Sequence, residues 1–88
     1  MSLNEAFSEI LSFFELPEPE MHAEAMVRDL QEIQTQMETV SDENLRASLI
    51  AYIEEWSADG AITSDPEVFQ QQTSEMALDL GNAGFLSE

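Results

Sequence analysis

Apolar residues recur every three or four positions along most of the chain, which is the spacing of an amphipathic α-helix. No stretch alternates apolar and polar residues as a half-buried β-strand does. Four segments carry the helical pattern, at about 2–16, 19–40, 42–59 and 65–80. We therefore predict one all-α domain over 1–88, a small four-helix bundle whose second helix is the longest, followed by a short irregular C-terminal tail.

Residues that cap helices mark several of these boundaries. Ser2 and Glu5 have the spacing of a capping box at the start of the first helix. Pro17 and Pro19 end that helix, and Pro19 also suits the first turn of the second. Later helices begin at an N-cap, which is Ser41 or Asp42 for the third and Asp65 before Pro66 for the fourth. Glycines end the last two predicted helices: Gly60 and Gly81.

Each predicted helix has one apolar stripe that predicts its buried face. The four stripes are Leu3, Phe7, Ile10 and Phe14; Met26, Leu30, Ile33, Met37 and Val40; Leu45, Leu49, Tyr52, Ile53 and Trp56; and Val68, Phe69, Met76 and Leu80. The second has the spacing of a heptad seam. The fourth is the thinnest, because Gln72 and Thr73 interrupt it. Phe85 and Leu86 in the tail either cover the bundle or form an exposed docking segment.

Charge limits the partners that such a domain can have. The chain has 19 Asp and Glu residues against 2 Arg and no Lys, so its formal net charge is −17. Direct binding to nucleic acid needs a basic surface, and an anionic membrane attracts basic segments, so we expect neither partner. No segment approaches the roughly 20 apolar residues of a membrane span. Cysteine is absent, which excludes disulfides, thiolate metal sites and cysteine nucleophiles.

Residues that carry catalytic or metal-binding chemistry are sparse. His22 is the only histidine, and Glu18 four residues earlier supplies at most half of an acid–base pair. The segment 59–63 is similar to the second half of an EF-hand loop, but Pro66 stands where the bidentate Glu ligand belongs. We therefore predict no catalytic residue, no metal site and no cofactor, with a weakly bound cation near Glu55, Asp59 and Asp65 as the alternative, and we expect that the protein is not an enzyme.

Most carboxylates fall away from the apolar stripes, so they predict an acidic surface. The glutamates that we expect to bind a partner are Glu5, Glu9, Glu20, Glu24, Glu32, Glu43, Glu54, Glu67 and Glu75. Glu24–Arg28 and Asp42–Arg46 have the i,i+4 spacing of helical ion pairs, so both cations are expected to be neutralised within their own helices.

Three hypotheses account for the acidity. In the first, the protein mimics a nucleic acid and inhibits a basic, DNA- or RNA-binding protein; its size and charge are similar to those of small phage proteins that block restriction, CRISPR or repair enzymes. In the second, it is a helical interaction or adaptor module, in the simplest case a homodimer, and the acids maintain solubility. In the third, the acids are an adaptation to high salt. The expected compartment is the cytoplasm, or the host cytoplasm if the gene is viral.

Overall fold

The first helix begins where its capping box predicts. In the computed structural model of the chain, which describes residues 2–86, α1 spans Leu3–Phe13. The Ser2 hydroxyl accepts a hydrogen bond from the backbone N–H of Glu5 at 3.2 Å, and the backbone N–H of Ser2 donates to the Glu5 carboxylate at 3.4 Å. The predicted capping box is therefore confirmed.

The end of α1 lies three residues before the predicted one, because its last turn tightens. Backbone N–H groups of Phe14, Glu15 and Leu16 each donate to the carbonyl three residues earlier, as in a 3₁₀ helix. Glu18 then has a φ of +51°, in the left-handed region that non-glycine residues seldom adopt. The residue before a proline disfavours the right-handed helical region, so Glu18 separates α1 from the helical segment that starts at Pro19.

The second predicted helix is divided into three pieces. A 3₁₀ helix (Pro19–His22) leads into α2 (Ala23–Thr35), and a second 3₁₀ helix (Met37–Thr39) follows. The heptad seam is confirmed, because Met26, Leu30, Ile33 and Val40 are buried and Met37 is partly buried. The predicted length is wrong: α2 has 13 residues, and the longest helix is α5 (Pro66–Asn82), with 17. Apolar spacing does not reveal where α-helical hydrogen bonds give way to 3₁₀ ones.

The third predicted helix starts as expected but ends earlier. The Asp42 carboxylate caps α3 (Glu43–Trp56) by accepting from the backbone N–H groups of Asn44 and Leu45 at 3.0 and 3.1 Å. Ser57, not Gly60, is the C-cap residue. Gly60 has a φ of +78° and precedes an additional single turn, α4 (Ala61–Ser64). The described residues therefore form an all-helical fold with five α-helices rather than four, and contain no strand.

One hydrophobic core joins the long helices. α1 packs against α2 and α5, and α3 packs against the same two helices. The fully buried Phe69 ring lies at the centre of an aromatic cluster, with its centroid 6.0 Å from that of Tyr52, 5.2 Å from Trp56 and 5.9 Å from Phe14. Offset and tilted ring pairs at these distances are favourable arrangements for aromatic side chains.

The polar residues that interrupt the fourth apolar stripe hydrogen bond to this aromatic cluster. Thr73 is fully buried, and its hydroxyl lies 2.6 Å from that of Tyr52. Thr73 Oγ1 donates its proton to the Phe69 carbonyl, so the Tyr52 hydroxyl is the donor between the two. The Trp56 indole N–H donates to Gln72 at 2.9 Å. Val68, predicted to be buried, is 44% exposed, whereas Phe69, Met76 and Leu80 are buried as expected.

The C-terminal tail is fastened to α5 by a Schellman motif. The backbone N–H of Phe85 donates to the Leu80 carbonyl at 2.9 Å, and that of Gly84 donates to the Gly81 carbonyl at 3.1 Å. Gly84 has the positive φ, +87°, that this motif requires. Gly81, predicted to end the helix, lies within its last turn. Phe85 and Leu86 are half-buried against the core, so the structure places them on the bundle rather than on an extended segment.

Replacing Thr73 with Val should destabilise the protein by about 1–3 kcal/mol, because the buried Tyr52 hydroxyl then loses its partner. The change keeps the side-chain volume nearly constant, so a cavity does not explain the loss. Urea unfolding of the single variants Thr73→Val and Tyr52→Phe and of the double variant gives the coupling energy. We expect the double variant to lose less than the sum of the two single losses; simple additivity would show that the hydrogen bond contributes nothing.

Candidate functional site

The predicted partner-binding glutamates are distributed over most of the fold. Glu5 and Glu9 lie on α1, Glu20 on the first 3₁₀ helix, and the others on the three longer helices: Glu24 and Glu32 on α2, Glu43 and Glu54 on α3, and Glu67 and Glu75 on α5. We call these nine residues the acidic surface. Glu9 is half-buried and the other eight are exposed, so nearly all of the acidic surface is open to a partner.

The arginines do not form the contacts that their spacing predicts. Arg46 Nη1 donates to the Val40 carbonyl at 3.2 Å, whereas the Asp42 carboxylate accepts from the backbone at the start of α3. Arg28 instead acts electrostatically on Asp29, the next residue along α2. The predicted Asp42–Arg46 pair is wrong because its carboxylate caps α3 and its guanidinium donates to a backbone carbonyl.

A buried carboxyl group is the feature that sequence reasoning missed. Asp29 is only 4% exposed, whereas most carboxylates are predicted to lie away from the apolar stripes. It lies three residues after Met26 and four before Ile33, beside the heptad seam, and this spacing is the signal that could have revealed it. Asp29 Oδ2 is buried and accepts no hydrogen bond from an N–H group or a hydroxyl, and the hydrogen-bond partner of the Asp29 side chain is the Glu9 side chain.

The pKa of Asp29 is raised from 3.8 to about 7; burial is the largest cause, and Glu9 contributes next through its charge and a side-chain hydrogen bond. Arg28 acts in the opposite direction, and the Glu32 carboxylate adds a smaller upward contribution. Two ionised carboxylates have no proton to share, so the hydrogen bond forms when Asp29 is protonated. Near neutral pH, Asp29 therefore lies close to the midpoint of its titration.

A surface cavity of about 470 Å³ lies beside this carboxyl group, at the junction of α1 and α2. We call it the acidic cavity; its lining residues are Glu9, Arg28, Asp29, Gln31, Glu32 and Thr35. Three of these residues are acidic and one is a cation, and the polar residues Gln31 and Thr35 are exposed. The arrangement offers hydrogen-bond acceptors and negative charge to a ligand that brings donors and positive charge.

A second cavity, of about 490 Å³, separates α2 from the segment around α4. Ala23, Val27 and Ile62 contribute apolar lining, and the buried Ser57 Oγ at its edge has no hydrogen-bond partner. Asp59 and Gly60, from the loop that is similar to half an EF-hand, also line this cavity. Across residues 2–86, no group of three or more His, Cys, Asp or Glu side chains is arranged to hold a metal ion.

His22 has a packing contact rather than a catalytic partner. Its ring stacks on Phe13 with centroids 5.2 Å apart and an interplanar angle of 19°. The backbone N–H of Met21 donates to the Glu18 carbonyl, so Glu18 contributes its main chain to this turn. His22 thus helps to attach the first 3₁₀ helix to the end of α1.

Comparison of the chain with models of protein families, with curated proteins and with solved structures finds no match. Within the described residues, none of the helices has both the length and the apolar character needed to cross a bilayer. The functional evidence is therefore the charge, the cavities and the exposed side chains of the molecule itself.

Replacing Asp29 with Asn should make the protein more stable at pH 8, by roughly 1–3 kcal/mol, and much less so at pH 5. Because the folded-state pKa of Asp29 is raised, the native protein binds more protons than the unfolded chain between about pH 4 and 7. Stability from this group is therefore complete below its unfolded pKa and is lost as the pH rises through about 7. Urea unfolding at both pH values measures the difference.

Asp79→Asn is the matched control, because Asp79 is exposed on α5 and lines neither cavity. It removes the same formal charge without relieving a buried carboxylate. Equal stabilisation by the two substitutions at pH 8 would attribute the effect to net charge rather than to burial of Asp29.

Raising NaCl from 10 to 150 mM should increase the melting temperature by about 4–8 °C, equivalent to about 1 kcal/mol for a domain of this size. Salt screens repulsion among exposed carboxylates, which otherwise destabilises the compact state. Thermal unfolding monitored by circular dichroism makes the measurement. A melting temperature that is unchanged over this range would contradict the idea that self-repulsion limits stability.

Proposed function

We propose that this protein is a non-enzymatic nucleic-acid mimic that binds the basic groove of a DNA- or RNA-binding protein and blocks it. The observation that carries the proposal is the density of one-signed charge on a folded helical body. The described structure measures 34 Å along its longest axis, and the chain's net charge is −17. One negative charge for about every 2 Å of length approaches the value of duplex DNA, about one per 1.7 Å.

The geometry of the carboxylates supports mimicry over a disordered acidic tail. The eight exposed glutamates of the acidic surface are carried by helices that share one core, so their relative positions are held by the fold. A groove that follows a phosphate backbone has Lys and Arg side chains at similarly fixed positions. A rigid acidic partner meets such a groove without the entropic cost of ordering its own chain.

Charge of this kind also determines how the complex forms. Opposite fields steer the two proteins together, so we expect fast association that slows as salt is added. The proposal places the protein in the cytoplasm, or in the host cytoplasm if the gene belongs to a phage or mobile element, where the target would be a defence or repair enzyme. The protein itself would contact neither nucleic acid nor membrane.

The alternative, an adaptor module, is favoured by exposed apolar side chains on one helix. Leu78 is 63% exposed and Val68 is 44% exposed, both on α5. These residues, rather than the half-buried Phe85 and Leu86, would be the apolar contacts of a partner protein or of a second copy of the chain. The acids would then mainly maintain solubility.

Replacing Glu20 and Glu24 together with Gln should weaken binding to the basic partner about five- to tenfold, a loss of about 1 kcal/mol. The immobilised protein captures partners from host lysate, and a stepwise NaCl gradient elutes them. Each eluted protein is then purified and bound to fluorescent DNA or RNA, and displacement of the nucleic acid is followed by anisotropy. The wild-type protein should displace it, and the double variant should need a higher concentration.

Leu78→Ala separates the two hypotheses, since it removes exposed apolar area without altering charge. Mimicry predicts displacement equal to that of the wild type. If Leu78→Ala abolishes partner binding while the Glu20 and Glu24 substitutions leave it unchanged, the adaptor hypothesis is correct. Captured proteins that do not bind nucleic acid at all would also contradict mimicry.

A further inference from the structure

The cavity between α2 and the segment around α4 differs from the rest of the surface because apolar side chains line it. We call this cavity the α2–α4 groove. Ala23 and Val27 line it from α2 and are half-buried, and Ala58 and the buried Ile62 line it from the opposite wall. Its volume of about 490 Å³ falls within the range of ligand pockets, roughly 300–1,000 Å³. An apolar group that covers these side chains removes them from water, which is favourable.

Charged side chains surround this apolar lining. Glu24 on α2 and Asp59 on the segment between α3 and α4 are both exposed, one on each wall of the groove. Arg28, also exposed, is the one cation that lines it. The two acids outnumber this cation, and the whole chain carries a net charge of −17. The field at the groove therefore favours an occupant that brings positive charge beside its apolar part.

We propose that the α2–α4 groove binds one apolar side chain of the basic partner, from a segment in which Lys or Arg residues flank that side chain. The inference rests on the proposed function, because it names one contact that the basic partner would make. Exposed carboxylates attract any cationic protein, and salt screens that attraction. Burial of an apolar side chain is not screened by salt, so this contact distinguishes one basic partner from another.

The charge pattern of the chain argues against a second copy as the occupant. The exposed large apolar side chains of residues 2–86 are Leu16, Met21, Val68 and Leu78. Each of them is directly next to an acidic residue in the sequence. If one of them entered the groove of another copy, its neighbouring carboxylate would approach Glu24 and Asp59, and like charges repel. An apolar side chain between two cations brings attraction to the same two acids.

The wall of the groove opposite α2 is held in place by contacts within the chain. The backbone N–H of Ala61 donates to the Ala58 carbonyl at 3.1 Å, and the Thr63 hydroxyl donates to the Gly60 carbonyl at 3.0 Å. The Ile62 side chain of the same turn is part of the hydrophobic core. An entering side chain therefore meets a formed site, and little ordering of the protein opposes its binding.

The test uses a blocked lysine–leucine–lysine tripeptide as the probe, titrated into the whole chain and followed by amide NMR shifts. Lysine–alanine–lysine carries the same charge but lacks most of the apolar side chain. We expect the leucine peptide to shift signals of Val27, Ala58 and Ile62 with a Kd of about 1–5 mM, and the alanine peptide to bind at least about fivefold more weakly. This ratio should persist when NaCl is raised from about 10 to 150 mM, although both peptides bind more weakly. Equal binding of the two peptides would overturn the proposal.

Val27→Thr should raise the Kd of the leucine peptide about three- to fivefold, because it places a hydroxyl among the apolar lining residues at nearly constant volume. Val68→Thr is the matched control: it makes the same change on α5, outside the groove, and should alter the Kd less than about 1.5-fold. Circular dichroism checks that both variants are folded. Equal effects of the two substitutions would show that the leucine side chain does not bind in the α2–α4 groove.

These outcomes separate this inference from the proposed function. If the two tripeptides bind equally well, displacement of nucleic acid from a basic partner still stands or falls on the Glu20 and Glu24 experiment. If no such displacement occurs but the leucine peptide binds as expected, the proposed function is overturned and the groove remains a site for a basic segment with an apolar side chain. A partner that binds Val27→Thr and wild type equally well would show that the groove is not used in the complex.

Discussion

Repulsion among carboxylates is the constraint under which the whole fold has to form. The 19 acids have almost no cations between them. Arg46 donates a hydrogen bond to the Val40 carbonyl, and Arg28 acts electrostatically on the buried Asp29 carboxyl group. The compensating attraction is burial of apolar surface. Phe69 occupies the centre of that core, where Phe14, just after α1, and two aromatic side chains of α3 pack against it. The free energy gained by burying this core offsets the repulsion among the surface carboxylates.

Much of the fold could be predicted from the sequence, because its causes are local. The all-helical class, the Ser2–Glu5 capping box and the Asp42 cap follow from residue spacing and side-chain chemistry within one turn. The heptad seam of α2 follows from periodicity. Breaks within helical stretches could not be predicted, because one turn of 3₁₀ helix at each end of α2 leaves the apolar spacing almost unchanged.

The residues whose burial the sequence did not predict are those whose environment depends on contacts between helices. Thr73 interrupts the apolar stripe of α5 in sequence, but it hydrogen bonds to Tyr52 across the core. Asp29 has a charged side chain, which is typical of the surface, but it lies beside the buried seam in sequence. Only the packing of α1 against α2 determines whether it is exposed or buried. The exposed glutamates were easier to place, because a charged side chain away from the seam has no alternative to solvent.

Folding also changes the number of protons that the chain carries. Near neutral pH the buried Asp29 holds a fraction of a proton that the unfolded chain has already released, so the native charge is slightly less negative than the formal −17. Any event that makes this group ionise, whether local opening of the α1–α2 junction or the arrival of a cation, returns that proton to the solvent. The buffer takes up this proton, so the heat measured for such an event includes the ionisation enthalpy of the buffer. Comparing buffers therefore reports the protonation state of Asp29, one of 19 acidic residues.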